Sequence, residues 1–337
     1  MARLFAIIKA LARAEGRDQK SFQSVVGNNF FIVTALLLQS AGGFVYLIIG
    51  LVMLFPLSTD PLRKIPPSRL ALWPLETGER RLLRAVSPWV NPMTWLIAGL
   101  ALWAARGRIS LGLWGLAAGL VAAGFVLSDL PVASLGGLWR RMPQFPSRLN
   151  QLIRKNVREL LSTLDFYCAL ILSGATLLYR AFGPPLPREA FLAVTILAVL
   201  ALSSFTQCLF GLDGAGGLSR YHLLPLRGWE ILAAKAAAFL AIAIPVVLPL
   251  APLAGLGAAL VALTIGHEPS VNRVRAQTRW RFSTGASVML GLGQAAAMGM
   301  AAAGIFLTSV WFLIPCLAAW LISLWAGGRA IERRPAF

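Results

Sequence analysis

The chain alternates long uncharged stretches with short basic ones, and the length of each stretch predicts how many helices it holds. Residues 21–59 are 39 consecutive positions without a charge, against the roughly 20 apolar residues that one helix needs to cross a bilayer. They predict two short spans, 21–39 and 43–59, with a turn at Ser40-Ala41-Gly42-Gly43; the first begins polar, with Gln23, Asn28 and Asn29. One long tilted helix over the same stretch would instead put the next basic loop outside. Spans follow at 89–105 and 109–127 around Arg106-Gly107-Arg108. The second half predicts spans at 160–179 and 190–211, a hairpin in the uncharged run Ala236–Gly266 with Pro245, Pro249 and Pro252 about its turn, and spans at 284–303 and 307–327. The expected fold is all-α: a polytopic transmembrane bundle of about ten spans, in an N-terminal half 1–145 with about four and a C-terminal half 146–337 with about six.

Two basic stretches have helical rather than continuous apolarity. Leu4, Phe5, Ile8 and Leu11 share one face of an N-terminal helix, with Arg3, Lys9 and Arg13 elsewhere. Leu149, Leu152, Ile153, Val157, Leu160 and Leu161 do the same opposite Arg154, Lys155 and Arg158. Both are expected to lie along the membrane surface. Charges throughout residues 1–20 argue against a cleavable signal peptide.

Composition agrees with the pattern. Hydrophobic residues make up 58% and charged ones 13% at a mean hydropathy of +0.72, where soluble domains carry about 25% charge. The net charge of +18 does not point to nucleic acid, because the basic residues sit in clusters between apolar runs. The expected topology leaves Arg106, Arg108, Arg180 and Arg188 outside and the other 27 of 31 basic residues inside, as the positive-inside rule requires, so both termini are expected in the cytoplasm of a bacterial inner membrane. Trp89, Trp95, Trp103, Trp311 and Trp325 fall near span ends, where indole rings favour the interface. Cys168, Cys208 and Cys316 lie in apolar runs at unrelated spacings and read as small core residues.

One cytoplasmic loop is repeated. Arg69, Leu72, Pro74, Leu75 and Glu79 recur 151 residues later as Arg220, Leu223, Pro225, Leu226 and Glu230, in the pattern Arg-x-x-Leu-x-Pro-Leu-x-x-x-Glu. A duplicated loop suggests one kind of partner touched twice. In the first copy, Pro61, Pro66 and Pro67 interrupt helix, and a short helix is expected from Thr77 to Ala85 with Thr77 as cap. In the second, Pro225 should start the following helix and direct Trp229 and Glu230 outward.

Candidate chemistry is sparse. No Gly-x-x-x-x-Gly-Lys-[Ser/Thr] loop occurs, so ATP would have to be handled elsewhere. Asp213-Gly-Ala-Gly-Gly lacks the lysine and reads as a flexible turn. His267-Glu268 has no second histidine, and Pro269 should end its helix. His222 is a lone loop histidine. Asp165 is the one carboxylate expected at membrane depth, at an interfacial position satisfied by water or Arg158. Asp60, Glu76, Glu79, Asp213 and Glu230 are scattered among arginines rather than paired.

The segment Phe210-Gly-Leu-Asp213-Gly214, with Arg220-Tyr221, Leu224-Pro225-Leu226, Glu230-Ile231-Leu232 and Lys235, resembles the permease subunits of type-2 ABC exporters over residues 146–330. The amphipathic stretch before 160 is similar to that family's connecting helix, and Gly266-His267-Glu268-Pro269-Ser270 to a Gly-Asn-x-x-Ser turn. The resemblance implies a coupling loop docked on a separate P-loop ATPase subunit. ATP would be used through that partner and no cofactor bound by this chain, with room for a second permease copy or homologue. Arg69, Pro74, Leu75, Glu79, Arg220, Pro225, Leu226, Trp229 and Glu230 would then form the coupling surface. A membrane-embedded enzyme acting on a lipid would need a carboxylate or histidine cluster at the interface, and a non-transporting membrane scaffold would need neither.

Overall fold

The computed structural model describes residues 2–17, 28–29, 61–65, 67–90, 95, 148–183, 185, 187–213, 220–221, 223–274, 276–277, 279 and 281–333. The predicted spans at 21–39, 43–59, 89–105 and 109–127 therefore lie almost wholly outside the described residues, as do Asp60, His222 and the glycines after Asp213. The described residues form helices and no strand. The chain divides into two units, Met1–Gln23 with Leu36–Pro143, and Ser24–Ala35 with Gln144–Phe337.

In the first unit α1 (Ala2–Arg17), α2 (Pro67–Ala71) and α3 (Thr77–Val86) surround a small apolar core. Leu4 and Leu11 of α1 are buried against Leu62, Leu75 and Leu83, with Ile7, Ile8, Leu70 and Trp73 around them. The apolar stripe of α1 is thus covered by protein, while Phe5, expected on that stripe, is 69% exposed. Helix α3 starts at Thr77 as expected, but Glu76 rather than Thr77 occupies the cap position.

The second unit begins with the amphipathic α4 (Asn150–Leu160), whose Ile153, Val157 and Leu160 are buried. Its apolar face packs on α7 (Gly228–Val247) rather than on lipid. Then come α5 (Leu164–Phe182), α6 (Arg188–Thr206), α8 (Pro252–Asn272), α9 (Val288–Ala303, prolonged by a π turn over Gly304–Thr308) and α10 (Leu313–Glu332). Among the described residues five helical segments, Leu164–Phe182, Arg188–Thr206, Gly228–Val247, Val288–Thr308 and Val310–Glu332, are long and apolar enough to cross a membrane. Helix α8 packs against α6, α9 and α10 and carries the polar His267-Glu268 pair in its C-terminal part. The predicted hairpin is present, with Pro245 inside α7 and Pro252 in the first turn of α8. Pro269 does not end its helix, and residues 266–270 are helical rather than a turn; its ring withholds the amide that would bond the carbonyl of Ile265, and the helix runs on to Asn272.

Two amides from the first uncharged stretch hold the second unit together. Asn28 Nδ2 donates to Asp165 Oδ1 (3.1 Å) and to the Ser283 carbonyl (3.0 Å), and the Ser283 N–H donates to Asp165 Oδ2 (2.9 Å). Asp165 is 1% exposed, so it is satisfied by Asn28 and Ser283 rather than by water or Arg158. Asn29 Nδ2 donates to Ser203 Oγ (3.0 Å) and to Gln294 Oε1 (2.6 Å), and Gln294 Nε2 donates to Thr206 Oγ1 (3.0 Å) and the Ala262 carbonyl (2.7 Å). Buried polar side chains without partners would be costly here; paired in this way, they tie the 28–29 segment to α5, α6, α8 and α9.

Candidate functional site

The two copies of the repeated loop fold alike. In the first, the Leu72 N–H donates to the Arg69 carbonyl (3.2 Å), Trp73 N–H to Leu70 (3.2 Å) and Leu75 N–H to Trp73 (2.8 Å). In the second, Leu223 N–H donates to Arg220 (3.2 Å), Leu224 N–H to Tyr221 (3.1 Å) and Leu226 N–H to Leu224 (2.8 Å). The last bond of each set spans Pro74 or Pro225, making a three-residue turn centred on proline; the ring fixes φ and supplies no amide that would need a partner. A helix then starts in the same manner. Glu79 Oε2 accepts from the Glu76 N–H (3.3 Å), and Glu230 Oε2 from the Arg227 N–H (2.9 Å). Each glutamate occupies the third helical position and reaches back to the cap residue, as in a capping box.

Surroundings differ. Behind the first turn, Arg80 donates to the carbonyls of Leu75 (3.1 Å), Trp73 (3.2 Å) and Ala71 (3.3 Å), gathering the turn round one guanidinium. A cavity of about 150 Å³ lies beside it, walled by Leu62, Leu70, Trp73, Leu75 and Leu83 together with Ala71 and the arginines Arg80 and Arg84.

Behind the second turn the space is filled. Tyr221 stacks edge-on against Phe210 at 5.8 Å and its hydroxyl donates to Asp213 Oδ1 (2.9 Å). Lys155 of α4 pairs with the same carboxylate and donates to the Tyr221 hydroxyl (3.1 Å). Lys235 of α7, 2% exposed, pairs with Asp213 Oδ2 (2.9 Å) and donates to Asn156 Oδ1 (3.1 Å) and the Leu209 carbonyl (2.7 Å). Burial opposes charge on Asp213, but Lys235 and Lys155 outweigh it and hold the carboxyl below its usual range. Burial likewise opposes the Lys155 ammonium, yet its bonds to Asp213 and Tyr221 hold it above the ordinary lysine value. Burial and the Asp213 charge push the Tyr221 phenol upward.

The turn is also fastened from the end of the bundle. The Gly228 N–H donates to Glu332 Oε1 of α10 (2.9 Å). A Cβ on Gly228 would stand 2.2 Å from the Gly328 carbonyl oxygen, and one on Gly328 2.5 Å from the Trp229 nitrogen, so both glycines are required by backbone contact. Arg148 forms an ion pair with Glu230.

Among the expected coupling residues, Arg69, Pro74, Arg220, Pro225 and Trp229 are exposed, Glu79 and Leu226 are half-buried, and Leu75 is buried in the apolar core. Glu230 does not project outward with Trp229: it is 3% exposed and turned inward, because both its oxygens are engaged, by the Arg227 N–H and by Arg148. The apolar residues that stand out are Leu72 on the first turn and Leu223, Leu224 and Trp229 on the second. The sequence gives Arg148 and Glu332 no role and Lys155 only a place on the polar face of its helix, whereas Asp213, Tyr221 and Lys235 stand within the family-like segment. Among the described residues no group of three or more His, Cys, Asp or Glu is placed to hold a metal.

No protein-family model, no curated protein and no solved structure matches the chain.

Proposed function

We propose that the chain is the membrane permease subunit of an ATP-driven exporter of the ABC type, energised by a separate P-loop ATPase that docks on the two repeated turns. The observation that carries this reading is the recurrence of one hydrogen-bond pattern, from Arg69 to Glu79 and from Arg220 to Glu230, on two loops expected in the cytoplasm. Each copy is braced by an amphipathic helix and offers exposed apolar side chains to a partner. A brace of this kind suits force transmission: the second turn opens directly into α7 and is bonded to α10, so a push on Trp229 would be felt by two long apolar helices. Location in the cell membrane with both termini inside belongs to the same proposal.

The test is reconstitution. The purified chain alone is expected to hydrolyse no ATP, and hydrolysis coupled to transport is expected only with the P-loop ATPase encoded nearest to its gene. Hydrolysis by the isolated chain, abolished by a substitution within it, would refute the proposal.

A further inference from the structure

The leucine stripe of α1 is occupied, since Leu4 and Leu11 are buried among Leu62, Leu75 and Leu83. The other side of the helix is bare. Phe5, Lys9 and Arg13 recur at every fourth position, which aligns them along one face, and all three are exposed, Phe5 at 69%. Ala6, Ala10 and Ala12 beside them are exposed as well, so no bulky neighbour keeps a flat surface away from this row. Among the described residues neither Lys9 nor Arg13 has a side-chain partner. Over its length α1 carries Arg3, Lys9, Arg13 and Arg17 against the single acid Glu15. One ring and two free cations on a face otherwise made of alanine suit a broad anionic surface with an apolar interior. The chain determines which such surface is within reach. Helix α1 ends at Arg17, and the uncharged run predicted to enter the bilayer begins at Ser21; at roughly 3.5 Å per residue the helix end stays within about 14 Å of it. The field of an anionic leaflet extends over about a Debye length, roughly 8–10 Å, and draws Lys and Arg toward the headgroups.

We propose that the outer face of α1 binds the anionic lipid headgroups of the adjoining leaflet, with Lys9 and Arg13 on the phosphates and Phe5 seated at the boundary of the acyl chains. The helix is then held between two surfaces, protein on its leucine side and lipid on its Phe5 side. The inference rests on the run after α1 entering the bilayer and not on an ATPase, so it stands or falls apart from the proposed docking.

A nitroxide on Ala12→Cys tests it, because residue 12 shares the exposed face while the native Cys168, Cys208 and Cys316 are buried. With the full chain in nanodiscs of equal parts phosphatidylcholine and phosphatidylglycerol, the label is expected to be more accessible to oxygen than to an aqueous nickel complex. That preference should be lost in phosphatidylcholine alone and in high salt. Adding Lys9→Gln and Arg13→Gln should lower the ratio of lipid-bound to free label roughly thirtyfold in the mixed lipid; if that variant does not fold, the salt series on the labelled chain decides by itself. A label that stays in water in the mixed lipid overturns the inference, as does one at lipid depth in both compositions and at both salt levels. A label shielded from both reagents means that protein covers the face, and overturns it too.

Discussion

Behind the first turn the packing is apolar: Leu4 and Leu11 of α1 close on Leu62, Leu75 and Leu83, and one arginine collects the loop carbonyls. Behind the second, at corresponding positions, two lysines, an aspartate and a tyrosine are locked together and a glutamate from α10 caps the helix. The backbone is nevertheless the same. The shape of such a turn is therefore determined locally, by proline at its centre and glutamate three residues into the next helix, while the packing behind it can differ. A duplicated loop can keep one form on two kinds of backing.

The largest effect should come from breaking the ionic lock. Asp213→Ala leaves Lys235 buried without its partner carboxylate and is expected to destabilise the second unit by about 3–5 kcal/mol, read as a lower thermal midpoint. Asp213→Leu with Lys235→Met, which moves the cluster toward the apolar character of the first unit, should recover most of that loss. If the double variant is as unstable as the single one, the comparison between an ionic and an apolar backing does not hold.

Trp229→Ala should come next, weakening association with the ATPase by about 2 kcal/mol or more, as expected for a central aromatic anchor. Gly228→Ala forces apart two backbones and should cost roughly 1–3 kcal/mol of stability. Gly78→Ala has open space and should be neutral or stabilise by up to about 1 kcal/mol. Equal effects at the two glycines would erase the distinction between a fastened turn and an unfastened one.

Acidity provides a gentler probe. Because Asp213 is held below its usual value, its contribution to stability is complete above the ordinary carboxylate range near pH 4 and is lost as pH falls through its folded value. Lys155 and Tyr221 are both raised, so theirs is complete below about pH 10 and is lost as pH rises beyond it. Thermal midpoints measured across acid pH should show a decline for the unaltered chain that is shallower in Asp213→Asn. The smallest effect is expected for Glu79→Gln, which weakens a partly exposed helix cap worth at most about 1 kcal/mol.

The helices of the second unit were legible because uncharged runs of the right length leave few other solutions, and the repeated loop was legible because its proline and glutamate recur at one spacing. What escaped was long-range. Nothing near Glu230 in the chain indicates that Arg148 will meet it 82 residues away. Asp213 looked like the edge of a glycine-rich turn, since the lysines that claim it are on α4 and α7. Asn28 and Asn29 looked like a polar flaw at the start of a span; their partners Asp165, Ser203 and Gln294 lie between 137 and 265 residues further on.

The bond between Glu332 and the Gly228 amide also sets an order of events during synthesis. The two residues are 104 positions apart, so the first amide of α7 stays without this partner until α10 has been made. While the chain is still on the ribosome, the surface around Trp229 is incomplete. The surface around Trp229 that the proposed docking would use is thus completed by a residue more than a hundred positions further along the chain.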